Sequence, residues 1–92
     1  MRVENLRTYQ PKPGERAVRI DRRTQLGNPY RITKARTRGM AIAEHRQMLK
    51  NNPLLQKHAR QSLVGADVLL CWCAPEPCHG QNYVDLLEGT LD

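Results

Sequence analysis

The chain has no phenylalanine, one tryptophan and three tyrosines among its 92 residues, so aromatic side chains contribute little to its interior. What core it has must be aliphatic and modest. A domain of this length buries about two-thirds of the surface its unfolded chain exposes, so a metal, a partner or a second copy would matter for stability. Long apolar runs are missing too. The longest, Val68–Cys73, is far too short to cross a bilayer, and the N-terminal residues are polar rather than signal-like. Only three cysteines are present, an odd number, and a C-x-C pair is too tight for an ordinary disulfide. These absences argue against a membrane protein and a secreted disulfide scaffold, and they set the expectation of one cytoplasmic domain over residues 1–92.

Acidic charge is the next scarcity. Fifteen Lys and Arg stand against nine Asp and Glu, giving a net charge of +6 and a pI near 9.7. Most of the cations are arginine, whose rigid fork suits phosphate and carboxylate. Arg16, Arg19, Arg22, Arg23, Arg31, Lys34, Arg36 and Arg38 crowd one segment whose only acids are Glu15 and Asp21. From Ala66 to Asp92 there is no Lys or Arg at all. A polyanionic ligand, nucleotide or nucleic acid, fits this better than a membrane, since no bulky apolar helix face accompanies the basic run.

Periodicity gives the elements. Arg2–Leu6 and Ala17–Asp21 alternate apolar and polar residues and read as strands, separated by the Pro/Gly loop Tyr9–Glu15. Gly27-Asn28-Pro29 forces a turn. A helix is expected from Thr37 to Asn51, and a second opens at Asn52-Pro53, an N-cap followed by proline, and ends near Gly65. The unbroken apolar run of Ala66–Cys73 reads as a central strand buried on both faces, and Cys78–Leu91 as a last helix. Strands joined through helices are parallel. The fold class is therefore α/β: a small, three-stranded, mostly parallel sheet flanked by about three helices. Ligands of open α/β sheets bind beyond the carboxyl ends of the strands. The loops Arg22–Ile32 and Ala74–Gly80 both leave such ends and should meet at one pole.

"VRIDRRTQLGNPYRI" and, some forty residues on, "LLCWCAPEPCHG" together resemble the domain-of-unknown-function family 4326, found in bacteria and their phages and marked by LGNP and CWCAP-x-PCH segments. The likeness runs from Val3 to Leu87. It implies that the two segments work together, and it makes a phage origin, and hence a host cytoplasm, an expectation. It names no reaction.

The cysteine cluster admits three readings. Cys71, Cys73, Cys78 and His79 could complete a tetrahedral Cys₃His zinc shell, zinc being the one cofactor these residues admit, although adjacent ligands and C-x-C depart from the usual C-x₂-C knuckle. Alternatively Cys78, at a helix start beside His79, is a thiol of depressed pKa and a nucleophile, with His79 as proton carrier. Or Cys71 and Cys73 are simply small core hydrophobes, the favoured reading for Cys71. Trp72 reads as core, with a stacking surface for a base as the alternative, and His45 and His58 as packed or surface histidines. Arg16 and Arg19 read as a solvated edge, with Arg36 and Arg38 as further candidates for it.

The leading functional expectation is a phosphate-binding pole: Arg22 and Arg23 neutralise the anion, Thr24 and Asn28 line the turn, and the Cys78–Gly80 helix start donates N–H groups. Were it catalytic, nucleotide base or phosphate chemistry through Cys78 and His79 is the class. The rivals are a nonenzymatic basic nucleic-acid-binding module, zinc-stabilised or not, and a phage protein that binds and modulates a host protein.

Overall fold

Val68–Cys71 organises the sheet. In the computed structural model, which describes residues 1–91, this strand lies between the other two and all four of its residues are buried. The elements are β1 (Arg2–Asn5), β2 (Ala17–Arg19), α1 (Arg38–Lys50), α2 (Pro53–Leu63), β3 (Val68–Cys71) and α3 (Gly80–Glu88). The sheet order is β1-β3-β2 and every pairing is parallel, with Arg2 and Ala17 both opposite Val68. A strand with sheet on both edges and apolar cover on both faces can carry a run of Val, Leu, Leu and Cys without alternation. The expected small parallel α/β architecture is the one observed.

Local chemistry sets the helix ends. Thr37 caps α1 by accepting the Met40 N–H at 3.1 Å, and Asn52 caps α2 by accepting the Leu55 N–H at 3.0 Å, with Pro53 following. Gly89 closes α3 at a φ of 77°, so this helix stops before Leu91 rather than running to it. It also starts later than expected, at Gly80, because the His79 ring is turned away and makes no cap. The two outer strands and β3 are each shorter than the alternation suggested, β3 ending at Cys71.

The core is aliphatic with one aromatic. Ile20, Leu49, Leu63, Val68, Leu69 and Tyr83 are fully buried, and α3 packs on β1 and on both other helices. Arg16 is exposed, as expected of a solvated edge, and it donates to the carbonyls of Ser62 and Val64 at the end of α2, where a cation meets the negative end of the helix dipole. No helix among the described residues is long and apolar enough to cross a membrane.

Two glycines are fixed by close approach. A Cβ at Gly27 would lie 2.5 Å from the Arg22 Cα and 2.7 Å from the Asp21 carbonyl oxygen, both backbone. At Gly80 it would meet only side-chain tips, Val3 Cγ2 at 2.8 Å and Ile20 Cδ1 at 2.9 Å. Gly80→Ala should therefore cost about 1–3 kcal/mol, and Gly27→Ala more, because backbone cannot yield as a methyl group can. Thermal melts of the two variants check the ranking.

Candidate functional site

The carboxyl ends of β2 and β3 open into one cleft, with a volume of about 90 Å³. That is several times what one water needs. From the first motif it is lined by Asp21, Arg22, Asn28 and Tyr30, and from the second by Cys71, Trp72, Cys73, Pro77, Cys78 and His79. Ile32, Arg38, Ala41 and Ile42 complete the wall.

The first wall is a self-bonded turn. The Asp21 carbonyl accepts from the Thr24 N–H and hydroxyl, each at 2.9 Å, and the Asn28 amide donates to the Ala41 carbonyl of α1 at 3.2 Å. Asn28 Oδ1 also accepts the Tyr30 N–H at 2.9 Å, and Arg22 Nε donates to the Asn28 carbonyl at 2.9 Å. Thr24 thus spends its side chain on the loop itself, and Asn28 divides its own between the loop and α1. Arg22 and Arg23 are both exposed, and of the two only Arg22 lines the cleft.

Asp21 is buried at the strand end and accepts from Arg19 at 3.1 and 2.6 Å and from the Trp72 indole at 3.1 Å. The Arg19 guanidinium, aided by the indole, holds its carboxyl below the ordinary carboxylate range. Arg19 is accordingly an ion-pair partner, not a solvated edge. Trp72 is 56% exposed, contrary to the core reading, because β3 ends one residue before it. Its ring stands at the cleft wall, held by Asp21.

The second wall is anchored from β1 and β2. Asn5 donates its amide to the carbonyls of Trp72 and Ala74 at 3.1 and 2.8 Å, and the Ala74–Pro75 peptide is cis. His79 is buried, and its Nε2 lies 2.8 Å from the Ile20 carbonyl and 3.1 Å from the Leu26 carbonyl. Two acceptors at one nitrogen fix the tautomer: Nε2 carries the proton and donates to both. Burial lowers the pKa of His79, which stays neutral. Nδ1 then faces Cys78 Sγ at 3.4 Å. The imidazole is a brace between the motifs rather than the free proton carrier expected of it.

The α3 start is likewise engaged from within. The Gly80 N–H donates to Cys78 Sγ at 3.3 Å, the Gln81 and Asn82 N–H groups donate to the Cys78 and His79 carbonyls, and Gly80 is buried outside the cleft wall. The cationic donors on the cleft wall are arginines. One of them is Arg38, which sequence reasoning left among the solvated edge. It stands in the first turn of α1, reaches the Pro77 carbonyl at 3.4 Å and lines the cleft. A cation in the first turn opposes the helix dipole, and that misfit was the available signal.

The thiols also exchange their expected roles. The Cys71 sulfur accepts from the Cys78 thiol and from the backbone N–H groups of Ala74 and Cys73, with Arg38 nearby, and its pKa falls to about 6. Donating to Cys71 and being buried push Cys78 up. The depressed thiol is therefore the one at the strand end, where the chain turns its N–H groups onto it. Among the described residues no three His, Cys, Asp or Glu side chains are arranged to hold a metal ion. Of the expected ligand set Cys71, Cys73, Cys78 and His79, the histidine has committed Nε2 to two carbonyls.

Behind the cleft, His45 is fully buried, as a packed histidine. Its Nδ1 accepts from the Asn82 amide at 2.9 Å and its Nε2 donates to the Tyr83 hydroxyl at 3.2 Å, which donates to the Leu26 carbonyl at 2.9 Å. Burial carries the pKa of His45 from 6.5 down to about 3. As pH falls below 6.5 the unfolded chain takes up protons that the folded protein refuses, so stability is full above that pH and drains toward pH 3. For His45 alone the loss is about 1 kcal/mol per pH unit, and His79 adds to it in the same direction. Urea-unfolding curves at about pH 7 and about pH 5 should differ accordingly, and His45→Asn should shrink the difference; a flat profile would contradict the buried neutral pair.

Comparison with known proteins brings the two motifs under one heading. No curated protein and no solved structure matches the chain. The family model described as Domain of unknown function (DUF4326) matches residues 3–89, taking in both walls of the cleft and the helices between them. The protein is a member of the DUF4326 family.

Proposed function

We propose that the cleft binds a phosphorylated ligand with a planar base, a nucleotide free or at the end of a nucleic-acid strand. The observation that carries this reading is the convergence of Arg22 and Arg38, from separate elements, on the cleft that Trp72 flanks. Arg22 and Arg38 supply charge-assisted donors for phosphate oxygens. The Trp72 ring and the half-buried Tyr30 offer flat apolar faces for a base, and Asp21 presents a carboxylate beside them. Tyr30 is itself backed by the Arg36 guanidinium at 5.4 Å from its ring centroid. Relative to the sequence expectation, Arg38 replaces Arg23 and the helix start as the second phosphate group.

Because Trp72 is the sole tryptophan, its fluorescence reports on the cleft without labelling. Titration with nucleoside monophosphates should quench it saturably, and the matching nucleosides should bind more weakly. Arg38→Ala or Arg22→Ala should weaken binding by about tenfold or more, the worth of one charge-assisted hydrogen bond. Equal affinity for nucleotide and nucleoside, or wild-type affinity in both variants, would refute the assignment.

Exposed Arg23, Arg31 and Lys34 on the loop that leaves the cleft favour a strand of nucleic acid as the larger form of this ligand. Such binding falls steeply with salt, whereas a mononucleotide held by two arginines responds mildly. Comparing the salt slopes for a short single strand and for a mononucleotide separates the two.

A further inference from the structure

The same cleft has a second chemistry at its floor that ligand binding does not use. Cys71 closes β3 and Cys78 precedes α3 by two residues, so the two cysteines come from different elements to one cleft. Both line the cleft, and all three cysteines are free. The neighbouring Cys78, the backbone N–H groups of Ala74 and Cys73 and the charge of Arg38 together outweigh burial and favour the Cys71 thiolate. Cys78 stays protonated, its sulfur accepting the Gly80 N–H and facing His79 Nδ1. The other charged groups on the cleft wall are Arg22 and Asp21, the latter neutralised by Arg19. A thiolate beside a cation, with a protonated thiol in contact, is the arrangement that a two-electron oxidant converts to a disulfide.

We propose that Cys71 and Cys78 are an oxidisable dithiol, with Cys71 the sulfur that attacks a small hydroperoxide and Cys78 the thiol that resolves it. The Cys71 thiolate attacks one peroxide oxygen; the S–O bond forms, the O–O bond breaks, and the departing oxygen takes a proton from solvent. The Cys78 sulfur then attacks the sulfenic sulfur; the S–S bond forms, the S–O bond breaks, and hydroxide leaves with the Cys78 proton as water. Two thiols are oxidised by two electrons and the peroxide is reduced to water and an alcohol, or to two waters from hydrogen peroxide. Cys71 is buried and lines a cleft of about 90 Å³, which admits a hydroperoxide more readily than a bulky oxidant. The cross-link ties the end of β3 to the approach of α3 across the floor of the cleft. The inference goes beyond ligand binding and stands without it.

The test uses the Cys73→Ser protein, reduced, treated with hydrogen peroxide at neutral pH, then denatured and alkylated before intact-mass measurement. The expected result is loss of both alkylatable thiols, a mass lower by two hydrogens, no covalent dimer, and recovery of both thiols with dithiothreitol. Replacing Cys78 by serine as well should stop the reaction at a Cys71 sulfenic acid that dimedone traps. Two thiols still alkylatable after the same peroxide has oxidised free cysteine would overturn the proposal, as would added oxygen on Cys71 with Cys78 free. Should Cys73→Ser fold poorly, the wild-type protein gives the same answer by tandem mass spectrometry. Its oxidised C-terminal peptide should yield no backbone fragments between residues 71 and 78, and a complete fragment series there contradicts the pairing.

Discussion

One imidazole proton holds the two motifs together. The His79 Nε2–H is shared between the Ile20 and Leu26 carbonyls, on either side of the turn that carries Asp21, Arg22 and Thr24. Both residues are buried, Ile20 just past the end of β2 and Leu26 across the turn, and an unpaired buried carbonyl costs free energy comparable to a lost hydrogen bond. The histidine supplies the missing donor from across the domain. Tyr83 donates to the Leu26 carbonyl as well, and His45 and Asn82 stand behind Tyr83. The arginine turn is thereby fastened to α3 by a buried polar chain in a protein too small to rely on apolar packing alone.

The placement of the other cleft groups depends on that fastening. Gly27 lets the turn close on itself, Asn28 ties it to α1, and Asn5 holds the cysteine loop from the far edge of the sheet. With both walls fixed, the parallel sheet leaves a cleft at its carboxyl pole, as open α/β sheets do. Charge then sorts by depth. Arg22 and Arg38 border the cleft with Trp72, Asp21 is paired off by Arg19, and the thiols occupy the end of β3 and the approach to α3. A nucleotide reading and a dithiol reading draw on different members of one assembly, which is why each can fail alone.

The fold was legible in the sequence because its strongest signals are chemical punctuation. Asn52-Pro53, Gly65 and the unbroken run at β3 each force a local outcome, and parallel strands follow from helical connections. The meeting of the two loops followed from topology. What stayed hidden was orientation. Cys71 looked inert because a buried cysteine usually is, yet β3 ends at it and it lines the cleft. Trp72 looked buried because the strand was read two residues too long. His79 looked like a proton carrier because histidine beside cysteine suggests chemistry, and only the positions of two distant carbonyls show that its proton is already spent. Arg38 was passed over in a crowd of arginines, although its place at the wrong end of a helix dipole set it apart.

The claim on which this account rests is that His79 is a neutral, Nε2-protonated brace. Nitrogen-15 chemical shifts of the imidazole, followed across the range in which an ordinary histidine titrates, read both properties in the folded protein. The account predicts one resonance pair typical of the Nε2–H tautomer at neutral pH, with protonation displaced below 6.5. A ring that protonates near 6.5, or that carries its hydrogen on Nδ1, would contradict it.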